Sequence, residues 1–175
     1  MYLESERMVL RDFNMGDLAD LHEILGDEEV MLNTEPAYDR QKTQDFLRAF
    51  CIERTPKGAY AAALKSTGKV IGYVLFKPVD EPEIYEIGWI FNKHFWRRGY
   101  AYEICKRLIA HGFEGMQLHK ICAEAIDENK SVSLMKKLGM TEEGIQRKHT
   151  RTNNGEWADL YWYAILKEDY FRPHR

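Results

Sequence analysis

Apolar and polar positions alternate over residues 8–13, with Met8, Leu10 and Phe13 apolar and Arg11 and Asp12 among them, which predicts a first strand. The period then lengthens. Leu18, Leu21 and Leu25 share one face of a helix over residues 17–25, with Asn14 as N-cap and Gly26 as stop. Phe46, Leu47, Phe50 and Cys51 place a second helix over residues 41–54, closed by Pro56-Lys57-Gly58. Two strands follow as a hairpin, residues 60–65 and 70–76, turning at Ser66-Thr67-Gly68-Lys69. A turn over residues 78–82 leads to a strand over 84–91. The clearest helix spans residues 99–113, where Ala101, Ile104, Cys105, Leu108 and Ile109 keep the spacing of one buried face. Residues 120–126 read as a strand. Residues 131–138 read as a short helix that Gly139 ends. The last strand, residues 159–166, is apolar on both faces and is therefore expected inside the sheet. The order β-α-α-β-β-β-α-β-α-β-β is that of a mixed α/β domain with helices on both faces of the sheet.

Composition narrows the class without changing that order. With 175 residues, 45% hydrophobic and 30% charged, the chain reads as one domain over 1–175 that buries its own core. A net charge of -3 and a sequence pI near 6.1 argue against nucleic acid as partner. No apolar run suggests a signal peptide or a membrane span, so the expected location is cytoplasmic. Cys51, Cys105 and Cys122 are widely spaced and read as buried, reduced thiols. His22, His94, His111, His119, His149 and His174 show no paired ligand spacing, so no metal site is expected.

One segment departs from the acidic background. Lys93-His94-Phe95-Trp96-Arg97-Arg98 follows a strand and runs into a helix that begins at Gly99. Free N–H groups and the positive end of the dipole make such a helix start an anion site. Gly99 and Ala101 keep the approach open, and Arg97 and Arg98 add charge at the rim. Neither a P-loop nor a dinucleotide glycine pattern is present. On these residues by themselves, a solvated basic turn before an ordinary helix stands beside the phosphate site.

The run Glu86-Ile87-Gly88-Trp89-Ile90 followed by Phe95-Trp96-Arg97-Arg98-Gly99-Tyr100-Ala101 resembles the acetyl-CoA site of the GCN5-related N-acetyltransferase (GNAT) superfamily, in particular its RimJ/RimL-like branch. Asn129 to Ser131 with Leu138-Gly139-Met140, the Glu143-Gly144 pair, and Gly155-Glu156-Trp157 with Asp159 are similar to that branch and stand in its order. The resemblance runs from about residue 8 to residue 170 and implies a mixed, largely antiparallel sheet of about seven strands with a splay between the fourth and fifth. It implies acetyl-CoA as co-substrate. The pantetheine arm would lie on Trp89, Ile90 and Phe91, and the pyrophosphate on the amides of Trp96, Arg97, Arg98, Gly99, Tyr100, Ala101 and Tyr102, with Asn129 near the thioester. Trp96 stands where the superfamily carries Gln or Arg, and the Asn129–Ser131 spacing is one residue shorter than the superfamily's.

The implied reaction is attack of a neutral amine on the thioester. An amine of pKa about 10 costs about 4 kcal/mol to deprotonate at pH 7, and a chain-terminal amine only about 1 kcal/mol. Glu86, in mid-strand and on the face of Gly88 and Ile90, is the first candidate for general base, against a structural ion pair; Glu124 is the reserve. The tyrosine acid common in the superfamily is replaced by Met135, so Ser131, and after it Ser133, is the donor to the thiolate, against a plain helix cap; Tyr161 and Tyr163 stay open. The acceptor is a primary amine. A peptide or protein α-amine comes first, and a polyamine or an aminoglycoside-like molecule stands as alternative. A non-catalytic acyl-CoA-binding module is the rival class, and a homodimer is left open.

Overall fold

The computed structural model describes residues 1–172, so His174 lies outside the described residues. Eight strands form one sheet: β1 (Tyr2–Glu4), β2 (Met8–Arg11), β3 (Ala59–Leu64), β4 (Val70–Val79), β5 (Glu81–Phe91), β6 (Lys120–Ala125), β7 (Thr141–Arg151) and β8 (Trp157–Leu166). Their spatial order is β1-β2-β3-β4-β5-β6-β8-β7. Every neighbouring pair is antiparallel except β5 and β6, which run parallel.

Helices α1 (Leu18–Leu25) and α3 (Arg40–Phe46, prolonged by a π-helical stretch Leu47–Glu53) cover one face, with the single turn α2 (Glu28–Met31) between them. Phe13, Leu21, Ile24, Leu25, Leu47 and Tyr73 form the core there. Helices α4 (Tyr100–Ala110) and α5 (Ser131–Lys137) cover the other face, over a core that includes Met8, Leu10, Ile71, Phe76, Ile87 and Ile121. A last turn, α6 (Lys167–Tyr170), follows β8. In α4 the residues Ile104, Cys105, Leu108 and Ile109 are buried. Burying each of the larger aliphatic side chains is worth about 1.5–3 kcal/mol relative to exposure, so this packing, more than helix propensity, holds α4 in place.

The predicted elements are present; the one-turn helices α2 and α6 come in addition, and three further differences concern β1, the 78–82 turn and Asn14. The sheet has eight strands because the three-residue β1, with only Leu3 buried, is too short to show a period. The turn expected over 78–82 shrinks to Asp80, which takes a positive φ of 53° while Val79 still pairs with Glu81. Pro78 is accommodated where the β4–β5 register shifts, the kind of place a strand tolerates proline. Asn14 does act as an N-cap, but for a 3-10 turn (Met15–Asp17) that feeds α1. Asn14 Oδ1 accepts from the Gly16 N–H at 2.8 Å, and Asp17 Oδ2 accepts from the Asn14 N–H at 2.9 Å. The last strand is internal, as its apolar faces require, with β6 on one side and β7 on the other.

The feature that positions the site is the short β5–β6 pairing. Only Ile84↔Lys120, Tyr85↔Ile121 and Glu86↔Cys122 are in register, after which the strands part. The Asn92 N–H bonds the Ile71 carbonyl at 2.9 Å, which sets the alternation along β5. By that parity the backbone groups of Ile87, Trp89 and Phe91 point away from β4, into the gap. A Cβ on Gly72 would meet the Phe91 ring at 2.5 Å, so glycine on β4 is what lets that ring fold flat at the end of the gap.

Candidate active site

A cavity of about 750 Å³ begins in the β5–β6 gap and continues to the N-terminus of α4. Of the residues singled out in the sequence, Trp89, Ile90, Phe91, Trp96, Arg97, Gly99, Tyr100, Ala101, Tyr102, Asn129 and Ser131 line it, as do Ser133 and Glu124. Arg98 and Glu86 do not.

The helix start is shaped in advance. Gly99 has φ 82° and ψ 0°, the left-handed conformation that glycine enters without strain, and Arg97 also has a positive φ, 58°. The Glu103 N–H bonds the Gly99 carbonyl at 3.0 Å and is the first donor of the helix ladder. The amides before it face outward, as the first turn of a helix dictates. Trp96 occupies the expected Gln/Arg position in a different role: its indole N–H donates to the Phe91 carbonyl at 2.7 Å, fastening the turn to the end of β5.

Arg7, which carries no local sequence signal, clamps this turn from outside. Its Nη2 donates to the Arg98 carbonyl at 3.1 Å, its Nε to Glu103 at 2.7 Å, and its guanidinium carbon lies 4.2 Å from the Tyr100 ring centroid. Burial acts to raise the Glu103 pKa. Bonds from the Arg7 N–H, the Ser5 hydroxyl and the Arg7 guanidinium outweigh it and hold the carboxyl below the usual range. Arg98 contributes its carbonyl to the clamp, and its guanidinium lies over Phe95, 5.8 Å from the ring centroid, rather than in the cavity. The rim charge expected from two arginines comes from Arg97 among that pair.

The two carboxylates exchange places relative to the sequence order of preference. Glu86 is ion-paired to Lys77 across β4–β5 at 2.7 Å. Glu124 lines the cavity with nothing bonded to its carboxyl among the described residues. Solvent reaches it through the open cleft, yet the protein crowded around it raises its pKa, and the charge of Glu86 raises it further; Lys77 and His149 oppose the rise. A carboxylate with a raised pKa and a free lone pair has the properties of a proton acceptor.

At the other wall, Asp127 ties down the turn that leads into α5. Its Oδ1 accepts from the N–H groups of Asn129 and Lys130, both at 2.9 Å. Ser131, the first residue of α5, lines the cavity, and its hydroxyl has no hydrogen-bond partner among the described residues. Met135 is buried in the core, 1% exposed, and closes the position where a tyrosine acid would stand. The Tyr161 hydroxyl donates to Glu128 at 3.3 Å and that of Tyr163 to Glu142 at 2.8 Å, and neither residue lines this cavity. Cys51, Cys105 and Cys122 are free and buried. Among the described residues no group of three or more His, Cys, Asp or Glu is placed to hold a metal ion, and no helix is long and apolar enough to cross a membrane.

The family model for an acetyltransferase (GNAT) domain matches residues 7–141, which takes in the gap, the turn, α4 and α5. The chain belongs to the GNAT acetyltransferase family. This GNAT chain is 32% identical over 172 residues to the uncharacterized N-acetyltransferase YnaD of Bacillus subtilis (strain 168), covering 97% of this chain and 99% of that one. A GNAT-family acetyltransferase of Bacillus anthracis superposes with a TM-score of 0.87 at 32% identity, over 96% of this chain and 99% of the other. A spermidine N-acetyltransferase of Vibrio cholerae, solved with CoA and spermine, shares the fold at a TM-score of 0.81 and 22% identity, over 95% and 99% of the two chains. The GNAT assignment makes the protein an acetyltransferase, so the non-catalytic module is set aside.

Proposed function

We propose that this acetyltransferase moves the acetyl group of acetyl-CoA to a primary amine, with Glu124 as the proton acceptor. The observation that carries the reading is continuity: one cavity holds an anion-binding helix start, a row of free strand amides and an unpaired carboxylate. The residues fit the co-substrate. A Cβ at Gly99 would stand in ordinary contact with Arg7 Nη2, at 3.5 Å, so what calls for glycine there is the positive φ that shapes the turn, and the amides of Arg97 to Tyr102 are open to a pyrophosphate. The Trp89 amide faces the gap, where an extended amide-bearing arm can pair with it as a neighbouring strand would.

When bound, acetyl-CoA supplies the activated acyl group. The chain's own part is to align it and to manage two protons. Glu124 takes the proton of the incoming ammonium, directly or through one water. Glu86, held by Lys77, acts on Glu124 as a neighbouring charge rather than on the substrate. Ser131 Oγ offers a hydrogen bond at the leaving side, and Asn129 lines the same wall.

The acceptor read first is a peptide or protein α-amine, on the RimJ/RimL resemblance and because its proton costs about 3 kcal/mol less to remove at pH 7 than that of a pKa-10 amine. One observation favours a polyamine as second reading: beside the cations Arg97, Lys130 and Lys137, which suit the phosphates, the cavity is lined by Glu29, Glu124 and Asp127, and Glu128 and Asp159 join Lys148 in a shallow open recess that adjoins it. Release of free thiol from acetyl-CoA, measured against peptides with free N-termini, spermidine and an aminoglycoside, tests the reading. Turnover with one class and its loss in Glu124→Gln are expected. Tight acetyl-CoA binding without thiol release from any amine, or an unimpaired Glu124→Gln variant, would defeat it.

A further inference from the structure

Several lysines of this protein meet carboxylates: Lys77, Lys93 and Lys120 each approach one at 2.7 Å. Lys137, which lines the cavity, and Lys106, exposed on α4 and outside its lining, behave differently. Lys137 Nζ sits 4.5 Å from the centroid of the Tyr102 ring, and Lys106 Nζ sits 5.7 Å from the same ring. Neither has a carboxylate within ion-pair distance among the described residues. An ammonium resting on an aromatic face keeps its N–H donors free, because the ring attracts the charge without accepting three hydrogen bonds.

Tyr102 joins two functions. Its backbone belongs to the first turn of α4, where the amides are open, and its ring carries the two ammonium groups. Lys106 lies one turn further along α4, and Lys137 approaches from the last residue of α5. Lys137 also ends the α5 face that lines the cavity through Ser133 and Leu134. A ligand whose first phosphates occupy the helix start therefore finds two unneutralised point charges about one helical turn away.

We propose that Lys106 and Lys137, braced on Tyr102, form a subsite for a phosphate monoester, the 3′-phosphate of coenzyme A, and so set the preference for CoA over its dephospho form. The proposal rests on the acetyl-CoA reading above. The chemistry matches at each point. A phosphate monoester carries close to two negative charges near neutral pH. Two lysines meet it as point charges without the planar geometry that arginine imposes. In CoA that monoester is on the ribose bonded to the pyrophosphate, so it lies on the side of the helix start away from the acyl end. Lys130 is a separate case: its Nζ lies 4.5 Å from the Trp96 ring, beside the end of β5.

Isothermal titration of the full chain with CoA and with dephospho-CoA tests the subsite by binding, without turnover. The unaltered protein is expected to bind CoA about tenfold or more tightly than dephospho-CoA, the scale of a charge-assisted hydrogen bond. Lys106→Met combined with Lys137→Met should weaken CoA, leave dephospho-CoA unchanged and erase most of the preference. Lys136→Met is the control for each single replacement, Lys106→Met and Lys137→Met, since Lys136 is exposed, does not line the cavity and removes the same single charge. Equal affinity of the unaltered protein for the two ligands overturns the subsite while leaving the acetyl-CoA reading intact. An equal loss of preference in Lys136→Met overturns it too, by showing a diffuse field instead of a site. Failure of the unaltered protein to bind either ligand overturns the donor reading and this subsite with it.

Discussion

Replacing Glu86 by glutamine changes a charge that does not touch the cavity, and the effect should be read on Glu124. Glu86 pairs in register with Cys122, and Glu124 is two residues further along β6. With strands about 4.8 Å apart and about 6.6 Å for two residues of rise, the two α-carbons lie about 8 Å apart. A unit charge at that distance acts with about 0.5 kcal/mol at the dielectric of water and about 2 kcal/mol at an effective dielectric of about 20. That corresponds to about 0.4–1.5 pH units. Glu124 opens to solvent, so the direct effect belongs near the lower bound. Lys77, left behind by Glu86→Gln, acts in the same direction, because it is no longer neutralised at 2.7 Å. The Glu124 midpoint should therefore fall, by about 0.5–1 pH unit after solvent screening. Titration of 13C-labelled glutamate carboxyls by NMR measures it, with the Glu124 signal assigned by its loss in Glu124→Gln. The acidic limb of the pH–rate profile should move down with it. A midpoint that stays in place or rises would refute the coupling, and with it the reason for Glu86 standing beside the cavity.

Other outcomes follow from geometry already described. Because the folded-state pKa of Glu124 lies above its unfolded value, the stability linked to its proton is present below about 4.5 and lost as pH rises through the raised value. Glu124→Gln should therefore raise the melting temperature at pH 7 relative to the parent even as it lowers turnover, and the gain should shrink in acid. Gly99→Val forces a β-branched residue to φ 82°, costs about 1–2 kcal/mol of stability and should abolish acetyl-CoA binding in calorimetry. Arg7→Met should cost about 1 kcal/mol after solvent screening. Glu103 has a lowered pKa, so its linked stability is present above the usual carboxylate value and lost as pH falls through the lowered one; the Arg7→Met deficit in denaturant melts should narrow in acid. Burial pushes the Cys51 thiol up to about 12, and Cys105 and Cys122 are also raised, so native protein should show no reaction with a thiol reagent on the time scale of a CoA-release assay.

The fold was legible wherever a buried face imposed a period. Ile104, Cys105, Leu108 and Ile109 announced α4, and the doubly apolar 159–166 run announced an internal strand. The helix-start cradle could be read because glycine after a basic turn is a local signal. What escaped was decided across distance. Arg7 reaches Glu103 from 96 positions away, so nothing near either residue marks the clamp. Glu86 and Glu124 look alike in sequence, and only the strand opposite, which brings Lys77 to the first and leaves the second facing the gap, separates them. Asp127 holds the turn before α5 and Ser131 falls one position inside the helix instead of at its cap, a shift of one residue that spacing does not resolve.

The bond from Trp96 to the Phe91 carbonyl has a consequence for how the protein meets its ligand. A glutamine or arginine at that position would wait for a phosphate before it settled. An indole already fastened to the strand leaves little for the ligand to organise. Association should then resemble a key entering a cut lock, with the backbone path of residues 96–102 nearly the same in the empty and the occupied protein even as the ligand slows exchange of their open amides.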